Sequence, residues 1–426
     1  MIPHASSPSR RASLPALGAL AALFVSASPA ETAAQDLVLT NANVVDVVAG
    51  SIRTDVTVTV REGRIASILP TGSAGAPAAG ARTVDLAGRY LAPGLLDAHV
   101  HVGSEADARR ALLTGVTTMR SMGADHYADV GMRALQRAGH ADTPEYLAAG
   151  YHVRPQMAEG FFQDHPELGA LDGGGVTGVD AVREVVRAIV SRDVDFVKTN
   201  ATERAGLPNT DPRKQLYGQA EIAAMVEEAG RAGIGVSAHA HGDGGGRAAV
   251  AAGVRSIEHG TYLSETTLRM MAERGTFLVP TIAIVRDLTI AGGDYDNAVL
   301  NIRGRHMLPR VQETAAAAHR LGVKIVAATD TGYGPNSTTT LAHELIELND
   351  VGLSPLEALR AATTTAAELF GMEDRVGRIA PGFEADLIVL ERDPLQGIEV
   401  VQDVLMVVSD GEVIVQRGDW PGRPVS

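Results

Sequence analysis

Pro93-Gly94-Leu95-Leu96-Asp97-Ala98-His99-Val100-His101 reads as a buried strand that runs into two histidines. Side chains along a strand alternate between faces, so residues two apart point the same way. His99 and His101 can therefore reach one ion from the same side, and neutral imidazole is the commonest metal ligand. Taken alone, a His-x-His pair is weak evidence for metal, and buried histidines satisfied by core hydrogen bonds are its ordinary reading. The decision rests on what lies downstream.

From residue 91 to 371, short apolar runs alternate with helical stretches. The expected strands are residues 95–101, 117–121, 146–149, 196–199, 236–239, 256–259, 277–279 and 325–328. Helices are expected between them, over 179–192, 219–232 and 313–321 among others. Eight strand–helix units in this length predict an α/β fold, a (β/α)8 barrel. On either side the pattern is β. Val56-Thr57-Val58-Thr59-Val60 alternates before it, and Asp386-Leu387-Ile388-Val389-Leu390 and Val404–Val408 follow it. Residues 37–90 and 377–420 are expected to form one small composite β-sandwich domain from both chain ends.

Residues 1–30 have the form of an export signal. Arg10 and Arg11 precede an apolar run from Leu14 to Val25, and Ser28-Pro29-Ala30 offers a cleavage site. The run is too short to span a bilayer stably, so removal and a periplasmic or secreted location are expected. Ser9-Arg10-Arg11 leaves both the general and the twin-arginine routes open. Losing the two arginines takes the net charge from −14 to about −16. That balance argues against nucleic acid or an anionic membrane as partner. The chain has no cysteine, which excludes disulfides and thiolate metal sites. Any metal must be held by nitrogen and oxygen ligands.

Barrel enzymes place their reactive groups at strand ends. His99 and His101 end the first expected strand, Lys198 the fourth, His239 the fifth, His259 the sixth and Asp330 the eighth. Lys198 is one of three lysines against 34 arginines. Arginine cannot lose its proton in a protein, whereas a buried lysine can. A neutral amine can add carbon dioxide, and the resulting carbamate offers two oxygens that can bridge two metals. The alternative is an ion pair of Lys198 with Asp195 or Glu203. His241 is expected on the opposite face of its strand from His239, as a substrate contact or a support for a ligand. Arg154, Arg204, Tyr262 and Tyr333 lie just after strands three, four, six and eight, where each could meet a substrate anion. Gly244-Gly245-Gly246 has no Walker lysine after it and reads as the turn opening a helix. His343-Glu344 reads as a solvated helix end, and His126, His140, His165, His306 and His319 as surface residues.

The Pro93–His101 stretch, Lys198, His239-Ala240-His241-Gly242, Ser256-Ile257-Glu258-His259-Gly260, Thr329-Asp330-Thr331 and the tail Gly377-Arg378-Ile379-Ala380-Pro381-Gly382 together resemble the metal-dependent amidohydrolase superfamily in its binuclear form. The resemblance covers about residues 37–415. It is nearest to the imidazolonepropionase-like, prolidase-like and ochratoxin-amidase-like branch. It implies two divalent metals, with zinc expected. His99, His101 and Asp330 would hold one, His239 and His259 the other, and carbamylated Lys198 would bridge them. It also implies Asp330 as the proton carrier. The expected substrate is a small molecule or dipeptide, cleaved at an amide bond. A lactone or cyclic amide, a mononuclear deaminase, and a non-catalytic metal-binding barrel are the alternatives, and assembly into a homo-oligomer is left open. Two loops depart from the branch. Gly150-Tyr151-His152-Val153-Arg154-Pro155 lacks its Gly-Gly-His pattern, and residues 200–206 differ from its glycine-rich version.

Overall fold

A computed structural model describes residues 36–139 and 142–418. The expected export signal and His140 lie outside the described residues. No helix among those described is long and apolar enough to cross a membrane.

Two parallel sheets carry the α/β part. One consists of Leu95–Val100, Val116–Ser121 and Glu145–Leu147. The other runs Val197–Asn200, Val236–Gly242, Ser256–Tyr262 and Phe277–Val279. Every residue of Leu95–Val100 and Val116–Ser121 is buried, as expected for parallel strands covered on both faces. A single bridge, Val153 to Thr199, joins the third strand's exit to the fourth strand. The expected eighth strand is not a regular strand. Its segment makes isolated bridges, Ile325 to Leu278 on one side and Thr331 to Val100 on the other. The physical reason is a competing partner. The Ala327 N–H donates to the Ala361 carbonyl at the end of helix Pro355–Ala361, and the Leu96 N–H donates to the Ala362 carbonyl. Higher up, the Asp330 N–H donates to His99 and the His101 N–H to Thr331, which ties the eighth segment to the first strand at the site.

Helices follow the strands and start on local signals. Ser104 caps Glu105–Leu113, accepting from the Asp107 N–H, and Ser264 caps Glu265–Arg274 in the same way. Ser354, Pro355 and Glu357 form a capping box with proline in the first turn. Gly245 and Gly246 sit in the first turn of Asp243–Ala252, as expected of a helix opening. A Cβ on Gly245 would come 2.7 Å from the Ala201 carbonyl, so close packing on the fourth strand's exit explains it.

The flanking β segments from both chain ends lie in one hydrogen-bonded sheet of eight strands. Its order is Glu412–Gln416, Met406–Ser409, Leu387–Leu390, Tyr90–Pro93, Leu37–Asp46, Ser51–Arg61 and Arg64–Pro70, with Arg82–Asp85 also on Leu37–Asp46. Tyr90–Pro93 pairs antiparallel with Leu387–Leu390, so the two chain ends meet there. That strand then leads through Gly94 directly into the histidine strand. A Cβ on Gly94 would lie 2.3 Å from the Thr117 hydroxyl, which leaves room for glycine alone.

Candidate metal centre and active site

Asp97 is the foundation of the site. It is fully buried below His99 and His101 on the same strand face. Its carboxylate accepts from the Thr329 N–H (3.0 Å), the Thr329 hydroxyl (2.7 Å) and the Tyr333 hydroxyl (2.9 Å). Burial raises its pKa to about 6, against the pull of these hydrogen bonds. Asp97 thus locks the first strand to the eighth segment and fixes where Asp330 stands. One Asp330 oxygen lies 3.3 Å from His99 Nε2 and 3.2 Å from His101 Nε2, and the other lies 3.8 Å from His259 Nδ1. Burial would raise the Asp330 pKa, but His99 and His101 outweigh it and hold the carboxylate ionised.

Two groups have the spacing of metal ligands. His99, His101 and Asp330 form one, and His239, His241 and His259 the other, each with ligand atoms within 4.8 Å of one another. The expectation for His241 is corrected here. His239 and His241 are two apart, share a face by the same rule that pairs His99 with His101, and have ring centroids 4.8 Å apart. The His241 ring also stacks on His259 at 4.6 Å. His259 reaches the cavity although its neighbour Glu258 also points inward. A φ of 72° at His259 breaks the strand alternation there.

One nitrogen of each of these buried rings is already held. His99 Nδ1–H donates to Glu258 at 2.8 Å, and His239 Nε2–H donates to the Glu203 carbonyl at 3.1 Å. His241 Nδ1 shares a 2.8 Å hydrogen bond with the Thr261 hydroxyl, and His259 Nδ1 shares one of the same length with the Thr281 hydroxyl. The other nitrogen is free to ligate, and such outer partners orient metal-binding imidazoles. Burial lowers the pKa of all four, to about 4 at His99 and about 3 at His241, which keeps them neutral.

Lys198 lines the same cavity as both groups. It is 1% exposed, and its Nζ has no hydrogen-bond partner among the described residues. Neither of the alternative ion pairs forms. Asp195 pairs with Arg133, and Glu203 with Lys214 at 2.6 Å. Burial lowers the Lys198 pKa to about 8, with Arg120 and Arg204 adding to the effect and Glu258 and Asp330 opposing it. An orphaned buried amine beside five imidazoles and a carboxylate fits a site for divalent cations of the nitrogen–oxygen type.

Of the expected substrate contacts, Arg204 lines the cavity, and Arg154 lines an adjoining one that also includes His101, His152 and Arg204. Tyr333 is corrected. It is buried and turned back to Asp97 by a φ of 50°, away from the mouth. Tyr262 lies beside His306 and does not line the cavity. Two further expectations are corrected. His165 is buried, 2.6 Å from the Tyr127 hydroxyl, and Glu344 is buried with one oxygen accepting from the Ala283 N–H at 2.7 Å. His126 and His306 are exposed as expected, and half-buried His319 pairs with Glu357. Glu258, Arg120 and His152 were missed. Glu258 accepts from Arg120 (3.0 Å), Ser237 and Ser256 (both 2.6 Å), and burial notwithstanding, Arg120 and His99 keep it ionised. Its one signal in the sequence is a carboxylate inside a strand with serines beside it. His152 shares a 3.3 Å hydrogen bond with Asn200 and stands 6.1 Å from the His101 ring.

Comparison with known proteins agrees with this geometry. The chain is 27% identical to ochratoxinase from Aspergillus niger over 351 residues, 74% of this chain and 72% of that protein. It is 26% identical to imidazolonepropionase from Salinispora tropica over 369 residues, 80% of this chain and 86% of the relative. The crystal structure of a Xaa-Pro dipeptidase with methionine bound in its active site superposes with a TM-score of 0.79 at 25% identity, covering 89% of this chain and 99% of that one. Residues 90–414 match the Amidohydrolase family, and the protein is a hydrolase that belongs to that family.

Proposed function

We propose that the protein hydrolyses an amide bond next to a free carboxylate, as in a dipeptide or an N-acyl amino acid, with two divalent ions at the site described. The observation that carries this reading is Lys198, a fully buried amine without a partner, in one cavity with two three-ligand groups. Zinc suits the imidazole-rich donor set. His99, His101 and Asp330 would hold one ion and His239, His241 and His259 the other, with Lys198 as its carbamate joining them. When bound, the ions supply a water of lowered pKa and polarise the carbonyl.

The chain's own residues supply the rest. Asp330, kept ionised by His99 and His101, is placed to take a proton from the attacking water and deliver it to the leaving nitrogen. Glu258 and the threonine hydroxyls fix the imidazole rings, so the ligand nitrogens need not reorganise. Arg204 and Arg154 offer the substrate carboxylate a charge-assisted partner. The fold we propose for this machinery is a closed (β/α)8 barrel over 91–371, beside a composite domain from 37–90 and 377–420. The arginine pair and apolar run within residues 1–30 support export to the periplasm or the exterior, where scavenged peptides arrive.

Two measurements test the reading. Metal analysis of protein purified without chelator should give about two ions per chain. Each N-acyl amino acid should be cleaved faster than its C-terminal amide. Full activity with one ion per chain, or equal rates for acid and amide, refutes it.

A further inference from the structure

Two adjoining cavities share His101, His152 and Arg204. The one holding both ligand groups measures about 610 Å³ with its open mouth. Its wall beyond the seventh strand is apolar, made by the buried Ile284, Val285 and Leu288, with Tyr295 beside them. The other cavity, about 590 Å³, opens beyond the third and fourth strands and carries Arg154 as well as Arg204. Neither arginine is in an ion pair among the described residues, and Arg154 Nε is buried without a partner. Asp125 is the one carboxylate lining that cavity, so two guanidinium groups leave it net positive. The site therefore has a cationic, anion-binding pole and an apolar pole, on strands three to four and seven respectively, with the reacting residues in one cavity with the apolar wall.

We infer that the substrate is an N-acyl amino acid with an extended apolar acyl group, its carboxylate on Arg154 and Arg204 and its acyl chain on Ile284, Val285 and Leu288, in preference to a dipeptide with a free α-amine. This deepens the proposed function and rests on it. The decisive point is what the apolar wall lacks. A free ammonium on the acyl side would lose its water and need a carboxylate there. Asp287 and Asp294 are the nearby acids, and neither lines the cavity. Asp287 accepts from the Tyr295 N–H and the Thr339 hydroxyl, both at 3.3 Å. Asp294 accepts from the hydroxyls of Thr331 (2.9 Å) and Ser337 (2.5 Å). Asp330 does line the cavity, but it is engaged by His99 and His101. In the reaction, a water oxygen bonds to the acyl carbon and the C–N bond breaks. The nitrogen leaves with a proton from that water, giving a carboxylic acid and a free amino acid.

The experiment uses the full metal-loaded enzyme and each of the common amino acids as its N-octanoyl, N-acetyl and L-leucyl derivative. For whichever amino acid is released, kcat/KM for the octanoyl derivative should exceed the leucyl one by at least about tenfold. The octanoyl advantage over acetyl should grow about fourfold for each methylene that reaches the wall. Ile284→Asp supplies the missing carboxylate and should cut the octanoyl advantage over leucyl by about tenfold or more. Leu288→Ala, which keeps the wall apolar, should lower the octanoyl-to-acetyl ratio and leave the leucyl-to-acetyl ratio alone. The inference is overturned if leucyl derivatives match octanoyl ones, or if octanoyl has no advantage over acetyl; amide hydrolysis itself then stands. If no derivative is cleaved at all, the proposed function falls with it.

Discussion

Lys198→Arg keeps the positive charge but removes the nucleophilic amine, so it separates a carbamate from an ordinary buried cation. The variant should lose at least one ion per chain and most activity, read by metal analysis and turnover. Lys198→Ala should regain part of its activity when a short carboxylic acid is supplied to replace the bridge. An active Lys198→Arg enzyme would remove the carbamate from the mechanism. Asp330→Asn keeps a ligand oxygen but cannot carry a proton. It should retain much of the metal and lose turnover by about 10²- to 10⁴-fold. At this scale most of the two ligand-type clusters was legible because such residues recur at strand ends, where barrels use them. Glu258 was not, because it is adjacent to His259 and alternation sends neighbours to opposite faces. The positive φ at His259 that lets both face inward is set by the fold around it, and Asp330 has the same character, with φ 56°. His241 was legible and misread, since the alternation applied to His99 and His101 applies to it unchanged.

The substrate mouth is made by loops, and one helix holds the loop that carries Arg204. Arg303, on helix Ala298–Arg320, donates to the carbonyls of Leu207 and Thr210 (both 2.6 Å), Pro208 (3.3 Å) and Ala205. A guanidinium that binds four carbonyls fixes an irregular loop that has few ladder bonds of its own. Arg303→Met should free the loop, raise KM about tenfold and leave kcat and metal content near wild type, because the ligand strands are untouched. A loss of kcat with unchanged KM would show that the clasp acts on the reacting groups instead. Elements of this kind were only half legible. Strand and helix cores follow from apolar runs, but nothing local in residues 200–210 announces a partner some ninety positions downstream. Tyr333 failed for a related reason. Its place after the eighth segment was right, yet a φ of 50° turns the ring inward to Asp97.

For the whole molecule, the joining of both chain ends in one sheet was legible, because matching β patterns flank the α/β region. The loss of a regular eighth strand was not, because it depends on the Ala361 and Ala362 carbonyls displacing ladder partners. Glu344 shows how such packing sets global behaviour. It sits on helix Leu341–Asp350 under helix Ile282–Asp287, accepts from the Ala283 N–H, and leaves its Oε1 without a partner among the described residues. Burial raises its pKa to about 8, against backbone hydrogen bonds from Ala283 and Ile282. The unfolded chain releases this proton near the ordinary glutamate pKa, about 4.3. Between these values the folded state binds more protons than the unfolded state, so this group's contribution to stability falls as pH rises. Glu344→Gln removes the ionisation and retains an acceptor for the Ala283 N–H. The variant should differ little from wild type near pH 5 and become the more stable of the two as pH rises to 8. The gap should widen by about 1.4 kcal/mol per pH unit and level off above the folded pKa. Urea unfolding of both proteins from pH 5 to 9 measures it, and taking the difference cancels every group the two share. A gap that is constant across that range would mean Glu344 is ionised in the folded protein, and its buried oxygen would then require a partner that moves in with the charge.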